Sequence, residues 1–337
     1  MRCVVAALAL LLSACAAPQM QPPQPIVRSP KIVEQAGMAF MIASDGYRLP
    51  LRVWAAEDAD GKPVPPRAVI VALHGFNDYA HTYSYPAPWW AKNGITTYAY
   101  DQRSFGATES RGIWPGSDAL IRDMFAMVEL ARERHPGVPL FLHGNSMGGA
   151  VVLAGLGRAD SHGALAGIQG AILTAPAVWG RPTMNPIYRL ALWGAYRVMP
   201  ARKFTGAGLD IRPSDNIPML ITLGRDPLVI KGTRVDAVKG LTDLMDEGLA
   251  AAPRIRVPLL VLYGARDEII PRGPTQAMVN KLRAPYRIAV YPNGYHLLLR
   301  DLQGPVVWND ELAWITDHTA PLPSGAERTG KRLFSGD

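Results

Sequence analysis

The chain has 337 residues, of which 48% are apolar, and this is enough to bury the core of one large domain or of two ordinary ones. Such a composition excludes an intrinsically disordered chain, because disordered chains contain too few apolar residues to form a core. The formal net charge is +7, but the basic residues are scattered and form no dense run interleaved with aromatics, so nucleic-acid binding is not indicated.

The N-terminus carries a targeting pattern. Residues 1–14, MRCVVAALALLLSA, combine a positive charge at Arg2 with a short apolar run, which is typical of a secretory signal peptide rather than of a membrane-spanning helix. Residues 12–15, LSAC, resemble a bacterial lipobox, which implies cleavage before Cys15 and acylation of that cysteine. Because Ala16 is not an aspartate, the resemblance favours a bacterial envelope protein lipid-anchored to the outer membrane at its periplasmic face. The alternative is an ordinary secretory signal with an incidental cysteine.

A segment rich in proline and glutamine follows the signal. Residues 15–30 are predicted to be an extended, unpacked tether between the lipid and the fold. The two cysteines, Cys3 and Cys15, both precede the body of the chain, which therefore contains no disulfide and no thiolate metal site. The seven histidines also lack the spacing of metal ligands, so a zinc site is not indicated.

Strand and helix patterns alternate through most of the remaining chain. Two short apolar runs around Asp45 and Gly46 predict an antiparallel hairpin at a sheet edge. Unbroken apolar runs predict strands buried on both faces. These runs are RAVIVALHG, ITTYAYD, PLFLHG, GIQGAILTAPA, VPLLVLYG and YRIAVYPN. Residues 117–137, SDALIRDMFAMVELARERHPG, have helical spacing, with Ser117 expected to cap the helix and Pro136-Gly137 expected to end it. The alternation predicts an α/β fold, a mostly parallel central sheet flanked by helices.

The alternation is interrupted between residues 176 and 256, where aromatic residues and methionines occur without strand runs. We interpret residues 176–256 as an inserted helical lid. Most of its aromatics are expected to pack the lid onto the core, and a few are expected to line a pocket. The predicted core then comprises residues 31–175 and 257–320, and residues 321–337 form a C-terminal tail.

The strand PLFLHG leads into Gly144-Asn145-Ser146-Met147-Gly148, which fits the pattern G-x-S-x-G. An abrupt turn from strand to helix forces its central residue into a strained backbone conformation, and glycines two positions away let the neighbouring backbones approach. Such a turn exposes the hydroxyl of Ser146 above the sheet. Because a strand precedes the motif and a helix of small residues follows it, Ser146 is predicted to be a catalytic nucleophile.

A serine nucleophile needs a base and an acid that orients the base. His296 and Asp267 follow two successive predicted strands, and the order Ser, Asp, His along the chain is the one expected for this kind of sheet. We therefore predict that Ser146, Asp267 and His296 form a catalytic triad. Weaker competitors are Glu268 and Asp226 for the acid and His318 for the base.

Two backbone amides are candidates for an oxyanion hole. The amide of Met147 lies at a helix N-terminus, where developing negative charge is stabilised. A second donor is expected from the loop after RAVIVALHG, where the amide of Phe76 fits. His74 and His143, which flank these positions, are predicted to be structural.

Six stretches, HGFND, DQRSFGATE, HGNSMGG, APA, YGARDEIIP and GYHLLL, resemble α/β-hydrolases of the monoacylglycerol lipase and lysophospholipase branch, a family of serine aminopeptidase S33 type. The resemblance extends over residues 38–316. It implies an α/β-hydrolase fold with a lid that shapes an acyl pocket, ester hydrolysis through an acyl-enzyme, and neither a metal nor an organic cofactor. The sequence departs from the family at Asn145, where a histidine usually precedes the nucleophile.

The sequence therefore predicts a serine ester hydrolase acting on a small lipid-like carboxylic ester, such as a monoacylglycerol or a lysophospholipid. Three alternatives remain. An acyltransferase would use the same triad with an acceptor other than water. A peptidase of the same fold would need an anionic grip on a substrate amine, for which Asp210, Asp215, Asp226 and Asp236 are available. A non-catalytic envelope protein would have kept only the fold. The expected partners are the substrate and a membrane, contacted through Cys15, and not nucleic acid.

Overall fold

The computed structural model describes residues 17–158, 163, 167–206 and 208–328, so the predicted signal peptide, Cys15 and the end of the predicted tail lie outside it. The strands in these ranges are β1 (Lys31–Gln35), β2 (Met38–Ile42), β3 (Arg48–Trp54), β4 (Ala68–Leu73), β5 (Ile95–Tyr100), β6 (Leu140–Asn145), β7 (Ile168–Thr174), β8 (Lys203–Phe204), β9 (Thr233–Arg234), β10 (Leu259–Gly264), β11 (Tyr286–Tyr291) and β12 (Glu327–Arg328). Ten of them form the main sheet, and β8 pairs with β9 alone.

The main sheet is parallel at its centre and antiparallel at both ends. Its strand order is β1-β2-β3-β5-β4-β6-β7-β10-β11-β12. The six strands from β5 to β11 in this order run parallel, which confirms the predicted α/β class. The predicted hairpin is present as β2 and β3, but β1 pairs outside it and occupies the edge. The order reverses at β4, so the loops after β4 and β6 border the crevice where α/β sheets bind ligands.

Helices cover both faces of the sheet. The α-helices in the described ranges are α1 (Ala87–Lys92), α2 (Ser117–Arg134), α3 (Met147–Leu156), α4 (Pro186–Val198), α5 (Ile217–Arg225), α6 (Val235–Ala251), α7 (Arg272–Val279) and α8 (Gly304–Thr316). Helices α2, α3 and α6 share one apolar cluster, and α1 and α8 lie in a second one. Strands β4, β5, β6 and β10 are buried along their whole length, as their unbroken apolar runs predict.

The start of α2 differs from the expectation by one residue. Ser117 is the first helical residue, and the N-cap is Gly116, which makes no side-chain cap bond. Gly116 has φ of 84°, in the left-handed region that only glycine adopts at little cost. The left-handed conformation of Gly116 therefore begins the helix, and Ser117 does not supply the capping hydrogen bond that the sequence predicts.

The predicted lid contains two kinds of helix. Helix α4 has no buried residue, and Asn185 caps it by accepting the N–H of Ile187. Helix α6, in contrast, packs against α3 in the same apolar cluster as the central strands. This packing makes α6 part of the core layer. The exposed portion of residues 176–256 therefore lies around α4 and α5. No helix in the described ranges combines the length and the apolar character that crossing a bilayer requires.

The described part of the predicted tether contacts the body of the protein, whereas its composition predicts an unpacked segment. The N–H of Gln21 donates to the carbonyl of Trp114 at 2.9 Å, and the N–H groups of Val27 and Arg28 donate to Ser44 O. The predicted tail is likewise packed where it is described, because β12 pairs with β11. Pro and Gln content indicates local extension but cannot identify a partner that is distant in sequence.

Candidate active site

Ser146 lies at the sharp turn between β6 and α3. Its φ of 50° and ψ of −113° are strained for a residue with a side chain, as expected for a nucleophile held above the sheet. The glycines of the motif are required by close packing. A Cβ atom on Gly144 would lie 2.6 Å from Gly148 O, and one on Gly148 would lie 2.6 Å from the carbonyl carbon of Leu73. The half-buried Ser146 is therefore fixed by the backbone around it.

The structure brings the three predicted triad residues together. His296 Nε2 lies 3.0 Å from Ser146 Oγ, and His296 Nδ1 lies 2.8 Å from Asp267 Oδ2. The other carboxylate oxygen, Asp267 Oδ1, accepts the N–H groups of Ile269 and Ile270 at 2.8 and 2.9 Å. The carboxylate therefore holds the Nδ1–H tautomer of His296, which leaves Nε2 free to accept the serine proton.

The competing residues have other partners. Glu268 accepts the N–H of Arg212, and Asp226 accepts the hydroxyl of Tyr79. His318 stacks on Trp314 at 4.1 Å between ring centroids, and its Nδ1 lies 2.6 Å from the carbonyl oxygen of Trp314. In the part of the chain that is described, no group of three or more His, Cys, Asp or Glu residues is arranged to hold a metal ion.

Both predicted oxyanion donors lie beside Ser146. Met147 is the first residue of α3, so its N–H has no partner within the helix. Gly75, which precedes Phe76, lies against the nucleophile, since a Cβ atom there would be 3.3 Å from Ser146 Cβ. The two loops are joined directly, because Gly148 N–H donates to His74 O at 3.1 Å.

His74 and His143 are buried and bonded to the protein around them. His74 Nε2 accepts the N–H of Gln102 at 2.8 Å, so Nδ1 carries the proton and donates to Gly75 O. Burial lowers the pKa of His74, which keeps the ring neutral. His143 Nε2 lies 3.0 Å from Glu311 Oε1, beneath the nucleophile turn. These contacts agree with the structural role that the sequence predicts for both histidines.

Residues 64–303 match the sequence profile of a family described as serine aminopeptidase, S33. The chain belongs to this family. The α/β architecture and the family membership together make this S33 protein an enzyme, a hydrolase of the α/β-hydrolase fold.

Several relatives of this S33 hydrolase cover most of its length. It is 26% identical over 290 residues to the monoacylglycerol lipase of Mycolicibacterium smegmatis, covering 81% of this chain and 94% of the relative. It is 24% identical over 306 residues to human monoglyceride lipase, covering 87% and 95%. A soluble variant of monoglyceride lipase from Saccharomyces cerevisiae, solved in complex with a substrate analog, superposes with a TM-score of 0.68 and 20% identity, covering 89% of this chain and all of that one.

The sequence did not reveal Asp301, which connects the His296 loop of the S33 hydrolase to the segment before α5. Asp301 Oδ2 accepts the N–H of Tyr295, the residue before His296, and Oδ1 accepts the hydroxyl of Ser214 at 2.6 Å. The N–H of Leu297 also donates to the carbonyl of Pro213, which precedes Ser214 in the same segment. An aspartate five positions after a histidine carries no recognisable pattern, so only the tertiary contacts identify it.

Asp301 should make stability depend on pH. Burial raises the pKa of its carboxyl from the ordinary 3.8 to about 6, against hydrogen bonds from Ser214 and Tyr295 that lower it. The native state therefore holds this proton more tightly, and the stabilisation is fully present below pH 3.8 and lost as pH rises through 6. Asp301→Asn, which imitates the protonated form, is expected to gain stability relative to wild type across this range, by up to about 3 kcal/mol.

Urea unfolding at pH 4, 5, 6 and 7 measures this difference. The exposed turn residue Asp60 provides the control, because Asp60→Asn should follow wild type at every pH. A free-energy difference between Asp301→Asn and wild type that stays constant over the range would contradict the expected titration.

Proposed function

We propose that the chain hydrolyses carboxylic esters of lipid-like alcohols, of the monoacylglycerol or lysophospholipid class, through an acyl-enzyme on Ser146. The observation that carries this proposal is the continuous hydrogen-bonded chain from Ser146 through His296 to Asp267. A hydroxyl, an imidazole and a buried carboxylate in this order constitute the machinery of acyl transfer.

The reaction follows from the polarity of these hydrogen bonds. His296 Nε2 takes the proton of Ser146 as Oγ bonds to the ester carbonyl carbon, and the carbonyl electrons move onto its oxygen. The amides of Phe76 and Met147 stabilise that oxyanion, each contributing roughly 3 kcal/mol to the transition state. The electrons on the oxyanion then re-form the carbonyl as the bond between its carbon and the alcohol oxygen breaks, and His296 gives the proton to the departing alcohol. Water then attacks the acyl-enzyme in the same way, with His296 as the base, and the carboxylic acid is released from Ser146.

The surface around α4 supports a lipid-like substrate. Four large apolar side chains of this helix, Ile187, Tyr188, Leu190 and Trp193, are 72, 57, 67 and 57% exposed. Exposed apolar groups of this density are typical of surfaces that meet a lipid or another apolar partner. The relatives named as monoacylglycerol and monoglyceride lipases favour the same substrate class. We extend the proposal to the exposed part of residues 176–256, around α4 and α5, acting as the lid of an acyl pocket.

We also propose that the protein acts at a membrane, held by acyl groups on Cys15 after removal of residues 1–14. The lipobox-like sequence supports this attachment, and the absence of an aspartate at Ala16 favours the outer membrane. Two or more acyl chains give stable anchoring, whereas a single chain is marginal.

The carboxylates near the predicted lid favour ester hydrolysis over peptidase activity. Asp215 accepts the N–H of Leu302, Asp226 accepts the hydroxyl of Tyr79, and Asp236 is paired with Arg234. These three side chains are engaged within the protein, which reduces the anionic groups available to bind a substrate amine.

A substrate panel tests the proposal. Monoacylglycerols, lysophospholipids, short p-nitrophenyl esters and aminoacyl p-nitroanilides are assayed side by side, with added glycerol as a competing acyl acceptor. We expect release of free fatty acid from at least one lipid ester and none from the anilides. Acyl glycerol as the main product would establish an acyltransferase, anilide cleavage would establish a peptidase, and inertness toward every ester would reject the enzymatic proposal.

A further inference from the structure

The N-terminal segment, residues 18–24, lines one side of a groove of about 1000 Å³, and the body of the protein lines the other side. Gln21 forms three hydrogen bonds there. Its N–H donates to Trp114 O at 2.9 Å, and its side-chain amide donates to Ser104 Oγ at 2.6 Å and to Ile113 O at 3.3 Å. Met20 pairs with Trp114 as a short parallel bridge. The segment therefore bonds to both ends of the loop formed by residues 104–114.

The loop of residues 104–114 packs against the side chain of Phe76. The Phe76 ring contacts Phe105 at 5.5 Å and Trp114 at 6.3 Å between centroids, both in edge or tilted geometry. Trp114 in turn packs against α6 at Gly240, where a Cβ atom would overlap the indole ring. Phe76 follows Gly75, which touches Ser146, so the position of the loop bears on the proposed oxyanion donor.

The loop borders a small cavity and contains a strained residue. A cavity with room for roughly one water molecule is lined by Phe76, Phe105 and Trp114 together with Ala237 of α6. Ser104 has φ of 76°, a strained value for a non-glycine residue, and its hydroxyl donates to Ile113 O while accepting from Gln21. The hydrogen bonds from Gln21 therefore add to the loop's other bonds, such as that from Gly112 N–H to Ser104 O, at a strained position beside this cavity.

We propose that Gln21 is a positioning residue for catalysis: it fixes the loop 104–114, and through the aromatic contacts of this loop it fixes the Phe76 amide. The inference rests on the proposed function, in which that amide stabilises the oxyanion. Because an oxyanion donor acts on charge that exists only in the transition state, its displacement lowers kcat and leaves KM largely unchanged.

The test compares Gln21→Ala, Gln21→Glu and Gln24→Ala in the full chain with a short p-nitrophenyl ester. Gln21→Glu keeps the shape of the side chain but cannot donate to Ile113 O. Gln24 is the matched control, because among the described residues its side chain bonds only to Pro22 O within the same exposed segment. kcat is expressed per active site titrated with a fluorophosphonate, so unfolded molecules do not enter the value.

We expect both Gln21 variants to lower kcat about tenfold, less than the 10²–10³ of losing a donor completely, with KM within about twofold of wild type. Gln24→Ala should match wild type. Equal kcat per titrated site in all variants would overturn the inference, and wild-type kcat in Gln21→Glu alone would reduce Gln21 to a packing role and overturn it as well. If wild-type protein neither hydrolyses the ester nor reacts with the fluorophosphonate, the proposed function itself has failed, which is a separate result.

Discussion

Replacing His296 with alanine is expected to lower kcat for ester hydrolysis by roughly 10⁶-fold, the scale on which a triad base acts. The hydroxyl of Ser146, 3.0 Å from His296 Nε2, would lose the group that takes its proton. Ser146→Ala should have a similar effect, and the double variant should lose no more, because the two residues act as one unit. Steady-state rates on a short ester, with unfolding midpoints to verify folding, measure all three variants.

Asp267→Asn should cost less, roughly 10⁴-fold in kcat, for a reason visible in the hydrogen bonds. Asp267 Oδ1 accepts two backbone N–H groups, so the amide oxygen of an asparagine must take that place. Its NH₂ would then face His296 Nδ1 and force the proton onto Nε2, where it blocks transfer from Ser146. A clear further loss in the Ser146→Ala, His296→Ala double variant, or an active Asp267→Asn, would contradict the triad.

Gly148→Ala is expected to destabilise the fold by at least about 3 kcal/mol, because the new Cβ atom would lie 2.6 Å from the carbonyl carbon of Leu73 and closer still to its oxygen. Both groups are backbone, in α3 and at the end of β4, so neither can rotate away. Separation of the two elements would also displace Ser146 from His296. The change is therefore expected to reduce both stability and kcat.

Gly194→Ala is the matched control for this substitution. Gly194 is also a helical glycine, in α4, but a Cβ atom there would meet nothing within 4 Å. Alanine should stabilise this helix by about 0.5–1 kcal/mol, because it loses less conformational freedom on folding. Urea unfolding at one pH compares the two variants. Similar free energies of unfolding for both would show that close approach does not explain the motif glycine.

The sequence revealed those parts of the site that depend on local pattern. Ser146, Asp267 and His296 each follow a buried strand, and parallel strands place their carboxyl ends along one edge. Recognition of the strands was therefore enough to predict that the three side chains meet, and in the structure they are hydrogen-bonded in series. Asp301 could not be found in this way, because its partner Ser214 is 87 positions away and neither residue lies in a recognisable motif.

The boundary of the predicted lid shows a related limit. Helix α6 has an amphipathic pattern that suits either a lid or a core layer, and apolar spacing alone does not distinguish them. Its small residues were an unused signal. A Cβ atom on Gly248 would lie 3.3 Å from Ala150 O, so the glycine permits close packing on α3. The contacts of Gln21 were likewise hidden, because composition describes the preferences of a segment and not its distant partners.

The exposed side chains of α4 have a practical consequence for work in solution. Helix α4 exposes Ile187, Leu190 and Trp193 to water, which is unfavourable for apolar side chains. Separate copies of the protein are therefore expected to associate through this helix. Mild surfactant should cover the same side chains and disperse the copies. Without amphiphile, the hydrolysis rate per enzyme molecule is therefore expected to fall as the protein concentration rises.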